Sequence, residues 1–112
     1  MGDTTEMIDD LLLNDSEMVE GFVTEAKEHL ETIEDDFLIL EMEKENPEQT
    51  LLDKVFRSIH SVKGAAGFLG LSTMTDLTHV METLLTKMRS REIRPESQYI
   101  DVLLAGVDLL TA

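Results

Sequence analysis

Apolar residues recur at steps of three and four along most of the chain after residue 15, and this spacing restricts the possible folds. Steps of three and four place side chains on one face of an α-helix, whereas a half-buried strand alternates with a period of two. The chain has neither β-branched alternation nor an Asn-Gly turn, so the signals of strands and hairpins are missing. The first helical stripe comprises Met18, Phe22, Ala26, Leu30, Ile33, Phe37 and Leu40.

Three further stripes follow, each long enough for an amphipathic helix. The second comprises Leu52, Val55, Phe56, Ile59, Val62 and Ala66. The third comprises Met74, Leu77, Val80, Met81, Leu84, Leu85 and Met88. The fourth comprises Ile100, Leu103, Leu104, Val107 and Leu110. Short connections between four helices favour antiparallel neighbours, so the sequence predicts an all-α, up-down-up-down four-helix bundle.

Capping residues indicate where the first helix begins. Asn14 and Glu17 have the spacing of a capping box, and either Asn14 or Asp15 can cap the helix. Residues 1–14 are therefore predicted to form a tail or a single loose turn. A chain of 112 residues is long enough for one domain, which we expect to span residues 15–112.

The other helix boundaries carry similar signals. The first helix is expected to run to about Lys44, after which Asn46 is a cap and Pro47 suits a first helical position. Ser72 is a plausible cap for the third helix, and Pro95 opens the fourth segment.

The composition limits the chemistry that the chain can perform. There is no Cys, which excludes disulfides, thiolate metal sites and cysteine nucleophiles. Aromatic residues make up only 4% of the chain and there are seven Met, so Leu and Met must fill the interior, as suits helix-on-helix packing. No stretch approaches the roughly 20 apolar residues of a membrane span, and none resembles a signal peptide. We therefore expect a soluble, cytoplasmic domain.

The net charge of −15 is unevenly distributed. Residues 1–53 carry a balance of −16, whereas residues 54–112 carry a balance of +1. Such a surface is a poor partner for nucleic acid or an anionic membrane, because phosphates need clustered Lys or Arg. A basic stretch at residues 89–94 closes the third helix, where the helix dipole favours cations. Any anion chemistry is expected in the second half of the chain.

His60 has the most suggestive surroundings of the three His residues. Phe56, His60, Lys63 and Gly67 form one line along the second helix, beside the apolar stripe. The imidazole should therefore lie at the edge of the core, with one nitrogen reaching solvent and the Lys63 ammonium nearby. Gly64 costs roughly 0.5–1 kcal/mol in a helix relative to Ala, which suggests that another body approaches the backbone there.

His79 and Glu82 are spaced i, i+3 on the third helix and project from one face. If this helix packs antiparallel to the second, the pair can meet His60. A carboxylate that accepts the Nδ1–H of His60 would fix the tautomer and leave Nε2 as the nucleophile. Spacing alone equally allows a helix-edge His60 beside an unrelated surface pair. His29, among acidic residues of the first helix, is interpreted as a solvated side chain.

The segment Phe56-Arg57-Ser58-Ile59-His60-Ser61-Val62-Lys63-Gly64-Ala65-Ala66-Gly67-Phe68-Leu69-Gly70 resembles the signature of histidine phosphotransfer (HPt) domains. The resemblance is to those at the N-terminus of CheA-type chemotaxis histidine kinases in particular. Residues 77–85 and 100–108 also resemble family segments, so the likeness covers nearly everything after residue 15. His-x-x-Lys-Gly is moderately specific alone, and strong when joined to Leu-x-His-x-x-Glu at this distance.

The resemblance implies a role for each matched residue. His60 would be the phosphoacceptor, Lys63 would stabilise the phosphoryl oxygens, and His79 and Glu82 would orient and tune the imidazole. The surface that receives partners would include Arg57, Ser61, Gly64 and Gly67. The family has about five helices in CheA, and this chain is expected to lack the last, because it stops inside an apolar stripe. Two departures stand out: Arg91 replaces the usual Gly after the third helix, and Thr86 replaces a frequent Asp.

The resemblance also implies the partners of the domain. The kinase module of the same or a paired chain would phosphorylate His60 from ATP, and a CheY-like response regulator receiver domain would accept the group on an Asp. ATP and Mg²⁺ would belong to those partners, because this chain has no Gly-rich phosphate loop and no cofactor or metal is expected in it. The isolated domain is expected to be monomeric.

Two other classes of function remain open from the sequence. A di-metal carboxylate bundle needs Glu-x-x-His on two helices. The residues three before the three His are Ala26, Arg57 and Asp76, so the pattern fails at two of the three positions. A non-catalytic helical interaction module would instead use the acidic first helix as its binding face.

Overall fold

The computed structural model describes the backbone of residues 3–111 and the side chains of residues 17–111. Within residues 3–111 all regular structure is helical. The five helices are α1 (Asp3–Glu31), α2 (Ile33–Met42), α3 (Gln49–Phe68), α4 (Ser72–Arg89) and α5 (Ser97–Thr111). Since α1 and α2 are separated only by Thr32, they together form one arm of the predicted four-helix bundle. None of the described helices has the length and apolar content needed to cross a membrane.

The first arm differs from the sequence prediction in where its helix begins and in whether that helix is continuous. The helix begins at Asp3 rather than near residue 15, so the expected loose turn is wrong for residues 3–13, and Asn14 lies within α1 instead of capping it. Met1 and Gly2 lie outside the described residues. The arm is also broken at Thr32, whose φ of −107° and ψ of 0° depart from helical values. The domain boundary at residue 15 stays a prediction.

The core is formed by the predicted stripes, which face one another across the bundle. Val80 and Met18 were expected in these stripes, but both side chains are exposed. Each lies at the margin of its apolar face, where a helix turns from core to solvent. The fully or nearly buried apolar residues are Leu30, Ile33, Phe37, Leu40, Leu52, Val55, Ile59, Val62, Ala65, Ala66, Met81, Leu85, Met88, Ile100, Leu103 and Val107.

Two helix ends close with the same hydrogen-bond motif. After α3, the amide of Leu71 donates to the carbonyl of Ala66 at 2.9 Å, while Gly70 adopts a φ of 72°. After α4, the amide of Glu92 donates to the carbonyl of Lys87 at 2.9 Å, and Arg91 adopts a φ of 65°. This is the Schellman motif, which favours glycine at the left-handed position. Arg91 therefore occupies a conformation that is unfavourable for its side chain.

Two of the predicted caps are wrong by one or two residues. Glu48, not Asn46, is the N-cap of α3, and its extended backbone allows the helix to begin at Gln49. Leu71, not Ser72, is the N-cap of α4. Neither cap makes a side-chain hydrogen bond, so packing of the apolar faces fixes these helix starts more than capping does.

Close packing between α4 and α5 occurs at a glycine. A Cβ atom placed on Gly106 would lie 2.7 Å from the Sδ of Met81, which is closer than two such atoms can approach without movement. The absence of a side chain at this position lets Met81 fill the space between the helices. Met81 precedes Glu82 in α4, while α3 packs along the other side of the same helix. These contacts position Glu82 against α3.

Candidate functional site

His60 lies in the middle of α3 with its imidazole at the bundle surface. The side chain is 62% exposed, although neighbouring Ile59 is fully buried. Its Nδ1 lies 2.9 Å from Oε1 of Glu82 on α4. Because an ionised carboxylate can only accept hydrogen bonds, Nδ1 carries the proton and donates it. The structure thus shows the predicted contact between His60 and Glu82, so the alternative of an unrelated surface residue is wrong for Glu82.

Glu82 also contacts a cation from α3. The Nζ of Lys63 lies 2.6 Å from Oε2 of Glu82, in an ion pair whose side chains are 29% and 10% exposed. Burial raises the pKa of Glu82, but the adjacent Lys63 ammonium and the hydrogen bond from His60 outweigh it, so this pKa lies below its ordinary value. The carboxylate therefore stays ionised at neutral pH.

This arrangement determines the reactivity of each imidazole nitrogen. With the proton held on Nδ1 by Glu82, the lone pair available for chemistry is on Nε2. The exposed imidazole can present Nε2 to another molecule, whereas the carboxylate beneath it is largely buried. A positive charge that forms on the ring would be stabilised by the ionised Glu82. The site therefore suits nucleophilic attack by His60 on an electrophile brought by a partner.

The structure adds two residues that the sequence did not place at the site, Asp53 and Arg89, and it shows how Phe56 lies against His60. The ring of Phe56 stacks on the His60 imidazole, with centroids 6.1 Å apart and planes inclined by 10°. The guanidinium of Arg89 lies 4.4 Å from the Phe56 ring centroid, and its Nε lies 2.9 Å from Oδ1 of Asp53. The i, i+7 spacing of Asp53 and His60 could have indicated that these two residues share a side of α3. Arg89 was interpreted only as part of the basic helix end.

His79 is not drawn into the hydrogen bonds of the site. Its side chain is exposed one turn before Glu82, and among the side chains described it makes no hydrogen bond to His60 or Glu82. Its role in tuning the imidazole stays a prediction. His29 lies on α1 with its Nε2 3.6 Å from Oε1 of Glu25.

The residues expected to face partners lie on the outer side of α3. Arg57, Ser61, Gly64 and Gly67 are all exposed. A Cβ placed on Gly64 or Gly67 would meet no atom within 4 Å, so both positions border open space. Within residues 17–111, no three His, Asp or Glu side chains cluster as they would around a metal ion.

Comparison with known proteins places this geometry in a family. The Hpt domain model matches residues 17–112. The chain is 40% identical over 95 residues to the sensor histidine kinase CheAY of Helicobacter pylori, covering 84% of this chain. It is 29% identical over 106 residues to the chemotaxis protein CheA of Treponema pallidum, covering 95% of this chain. The chain spans only 12% and 13% of the length of those two relatives.

A solved structure shows the same likeness in three dimensions. The CheA phosphotransferase domain from Thermotoga maritima superposes with a TM-score of 0.76 at 40% sequence identity. The match covers 85% of this chain and 89% of that domain. The predicted resemblance and the predicted four-helix bundle are both confirmed. The chain belongs to the Hpt domain family and is similar to the phosphotransfer domains of CheA proteins.

Proposed function

We propose that His60 accepts a phosphoryl group on Nε2 and passes it to a response regulator. The observation that carries the proposal is the hydrogen bond of 2.9 Å between His60 Nδ1 and Glu82, made while the imidazole remains 62% exposed. The bond sets the tautomer, and the exposure allows access. Membership of the Hpt family supports the same role.

In the proposed reaction, the Nε2 lone pair of His60 attacks the γ-phosphorus of ATP. A bond forms between Nε2 and phosphorus, while the bond from phosphorus to the bridging oxygen breaks and ADP leaves with that electron pair. The ring keeps its Nδ1 proton and becomes positively charged, so the hydrogen bond to ionised Glu82 strengthens as the reaction proceeds. Lys63 can turn from Glu82 toward the phosphoryl oxygens and reduce their charge.

The return step needs a second partner. An Asp carboxylate of a CheY-like receiver domain attacks the phosphorus, the bond to Nε2 breaks, and the electron pair returns to the imidazole. The exposed positions Arg57, Ser61, Gly64 and Gly67 are proposed as the surface that meets these partners. The open space at Gly64 supports a close approach of receiver loops.

The proposal assigns ATP and Mg²⁺ to the partners rather than to this domain. The kinase module of the same or a paired chain would bind ATP, and the receiver would supply Mg²⁺ for transfer. Both steps are proposed to take place in the cytoplasm, with this domain acting as a monomer. The domain alone would then be a phosphorelay substrate, and its parent chain a histidine kinase.

Incubation with a purified CheA-type kinase module and labelled ATP tests the proposal. We expect an acid-labile, base-stable phosphate that mass spectrometry at neutral pH assigns to His60. His60→Gln should abolish labelling without a change in helical content, whereas the matched control His29→Gln should be labelled normally. Labelling that persists in His60→Gln would overturn the assignment. No labelling of the folded wild-type domain would favour a non-catalytic interaction module.

A further inference from the structure

The imidazole of His60 has a second neighbour besides Glu82. The Phe56 ring lies one helical turn earlier on α3, stacked at 6.1 Å between centroids with an interplanar angle of 10°. Aromatic rings attract one another in offset-stacked arrangements at centroid separations of about 4.5–7 Å. The Phe56 and His60 rings therefore lie beside each other with nearly parallel planes, at a separation within this range.

Phe56 is itself held from the C-terminal end of α4. The Arg89 guanidinium lies 4.4 Å from the Phe56 centroid, within the range of a cation–π contact. The Nε of Arg89 is paired with Oδ1 of Asp53 at 2.9 Å, which keeps the guanidinium over the ring. We call Asp53, Phe56 and Arg89 together the Phe56 clamp. It joins α3 to α4 next to the contact between His60 and Glu82.

The hydrogen bond to Glu82 leaves one motion of the imidazole free. The Cβ–Cγ bond and the hydrogen bond at Nδ1 both hold the ring, but a small coupled turn about the Cα–Cβ and Cβ–Cγ bonds can still keep this hydrogen bond. Such a turn would move Nε2 away from the direction in which a phosphoryl group arrives. Reaction rates fall steeply when a nucleophile is misaligned, so a second restraint has a chemical consequence. The stacked ring of Phe56 opposes this turn.

We propose that Phe56 is a positioning residue for phosphorylation of His60, and that Arg89, paired with Asp53, keeps the Phe56 ring in place. The inference rests on the proposed role of His60 as phosphoacceptor. Neither Phe56 nor Arg89 donates or accepts a proton from the imidazole. Their effect is to raise the fraction of time for which Nε2 points in the reactive direction.

The test compares Phe56→Leu with Phe56→Tyr, since the first removes the aromatic ring and the second keeps it. Two phosphoryl donors are used: ATP through a CheA-type kinase module, and phosphoramidate alone. With phosphoramidate, Nε2 bonds to phosphorus while the P–N bond breaks and ammonia leaves with the electron pair. Because phosphoramidate needs no docking surface, it separates the reactivity of His60 from recognition by the kinase.

We expect Phe56→Leu to slow phosphorylation by both donors by about 2- to 12-fold, the range that corresponds to one aromatic pair. The loss should appear in kcat for the kinase reaction, with KM for the domain unchanged. Phe56→Tyr, which keeps the aromatic ring, should retain the wild-type rate. Arg89→Gln should give a smaller loss, because Phe56 remains but is less restrained.

Nuclear magnetic resonance of the His60 ring protons gives a readout that does not depend on phosphorylation. The ring current of Phe56 should shift these protons, and the shift should be lost in Phe56→Leu and kept in Phe56→Tyr. Phe22→Leu is the matched control, because Phe22 is also half-buried and pairs with another aromatic ring, Phe68, at 4.6 Å. It should change neither the His60 signals nor the rates.

The outcomes separate this inference from the proposed function. Wild-type rates in Phe56→Leu with both donors would overturn the positioning role while leaving His60 as the phosphoacceptor. A wild-type domain that accepts no phosphoryl group from either donor would overturn the proposed function itself. If Phe56→Leu does not fold, Arg89→Gln provides the test instead. An unchanged phosphorylation rate and unchanged His60 signals in that variant would contradict the proposed role of the Phe56 clamp.

Discussion

The ammonium of Lys63 and the carboxylate of Glu82 form an ion pair of 2.6 Å beside the imidazole. In the unphosphorylated domain this Lys63 cation is therefore bound to Glu82 rather than free for phosphoryl oxygens. The pair keeps Glu82 ionised in a largely buried position. The pair also places the positive charge of Lys63 next to the imidazole, and the proposed reaction uses both Lys63 and Glu82.

Glu82→Gln tests the importance of the carboxylate charge. Glutamine keeps the size of the side chain, but a neutral amide is a weaker partner for an imidazole that becomes positively charged. We expect the rate of His60 phosphorylation to fall by roughly 10²–10⁴-fold, the range for positioned acid–base partners. Rapid-quench kinetics with labelled ATP measure this rate. A loss smaller than twofold in a folded variant would contradict the proposed role of Glu82.

The same carboxylate predicts a pH dependence of stability. Because its pKa in the folded domain lies below the ordinary 4.5, Glu82 binds a proton more weakly in the folded than in the unfolded state. Its stabilising contribution is complete above pH 4.5 and is lost as the pH falls through the lower folded-state pKa. The difference in unfolding free energy between wild type and Glu82→Gln should therefore shrink below this pH.

Urea unfolding from pH 3 to pH 7 measures that difference. Glu28→Gln is a suitable control, because Glu28 is exposed and forms no ion pair among the side chains described. Its effect on stability should be smaller than that of Glu82→Gln at neutral pH. A difference for Glu82→Gln that grows as the pH is lowered would contradict the predicted sign.

Gly64→Gln should separate stability from transfer. Gly64 is exposed within α3, and a Cβ atom placed there would meet no atom within 4 Å outside its own turn of helix backbone. Glutamine should therefore raise stability by about 0.5–1 kcal/mol through its higher helix propensity. Transfer to a receiver domain should nevertheless slow, because the new side chain occupies the space proposed for receiver loops.

Thermal melting checks the predicted gain in stability. The rate of phosphoryl loss to a cognate receiver domain checks the predicted slower transfer. Intrinsic reactivity with phosphoramidate should remain unchanged, which assigns any slower transfer to docking. Unchanged transfer would indicate that the regulator docks elsewhere, with the acidic face of α1 as the next surface to test.

Arg91→Gly should stabilise the domain away from the site. Arg91 has a φ of 65°, a conformation that costs a non-glycine residue about 1–2 kcal/mol. The greater flexibility of glycine in the unfolded chain offsets part of this gain, so we expect a net increase of about 0.5–1 kcal/mol. Arg91→Ala keeps the Cβ and should give little of the increase. Equal melting temperatures for the glycine and alanine variants would contradict this explanation.

The sequence predicted most of the site because helix spacing allowed its key contacts, and the resemblance to HPt domains favoured them over an unrelated surface pair. His60 and Lys63 share a face of α3, and antiparallel packing brings Glu82 of α4 to that face. Arg89 could not be assigned in this way, because its contact with Phe56 depends on how far α4 is displaced along α3. That displacement is set by tertiary packing rather than by periodicity.

The first arm shows where local signals were insufficient. Asn14 has the residues of a capping box around it, yet α1 continues through it from Asp3. At Thr32 the apolar period passes without interruption through the break between α1 and α2. Hydrophobic spacing reports which side of a chain is buried, and it is insensitive to a change of backbone angles at one residue. The fold class was therefore predictable, whereas the limits of this arm were not.

The contact between Gly106 and Met81 has a consequence for how sequences of this kind can diverge. A Cβ atom at position 106 would meet the thioether of Met81, so the Met81 side chain must shift or be replaced when position 106 carries a side chain. A substitution to alanine at position 106 should be accompanied by a shorter residue at position 81. Among homologues, these two positions should therefore show correlated substitution, although neither touches His60.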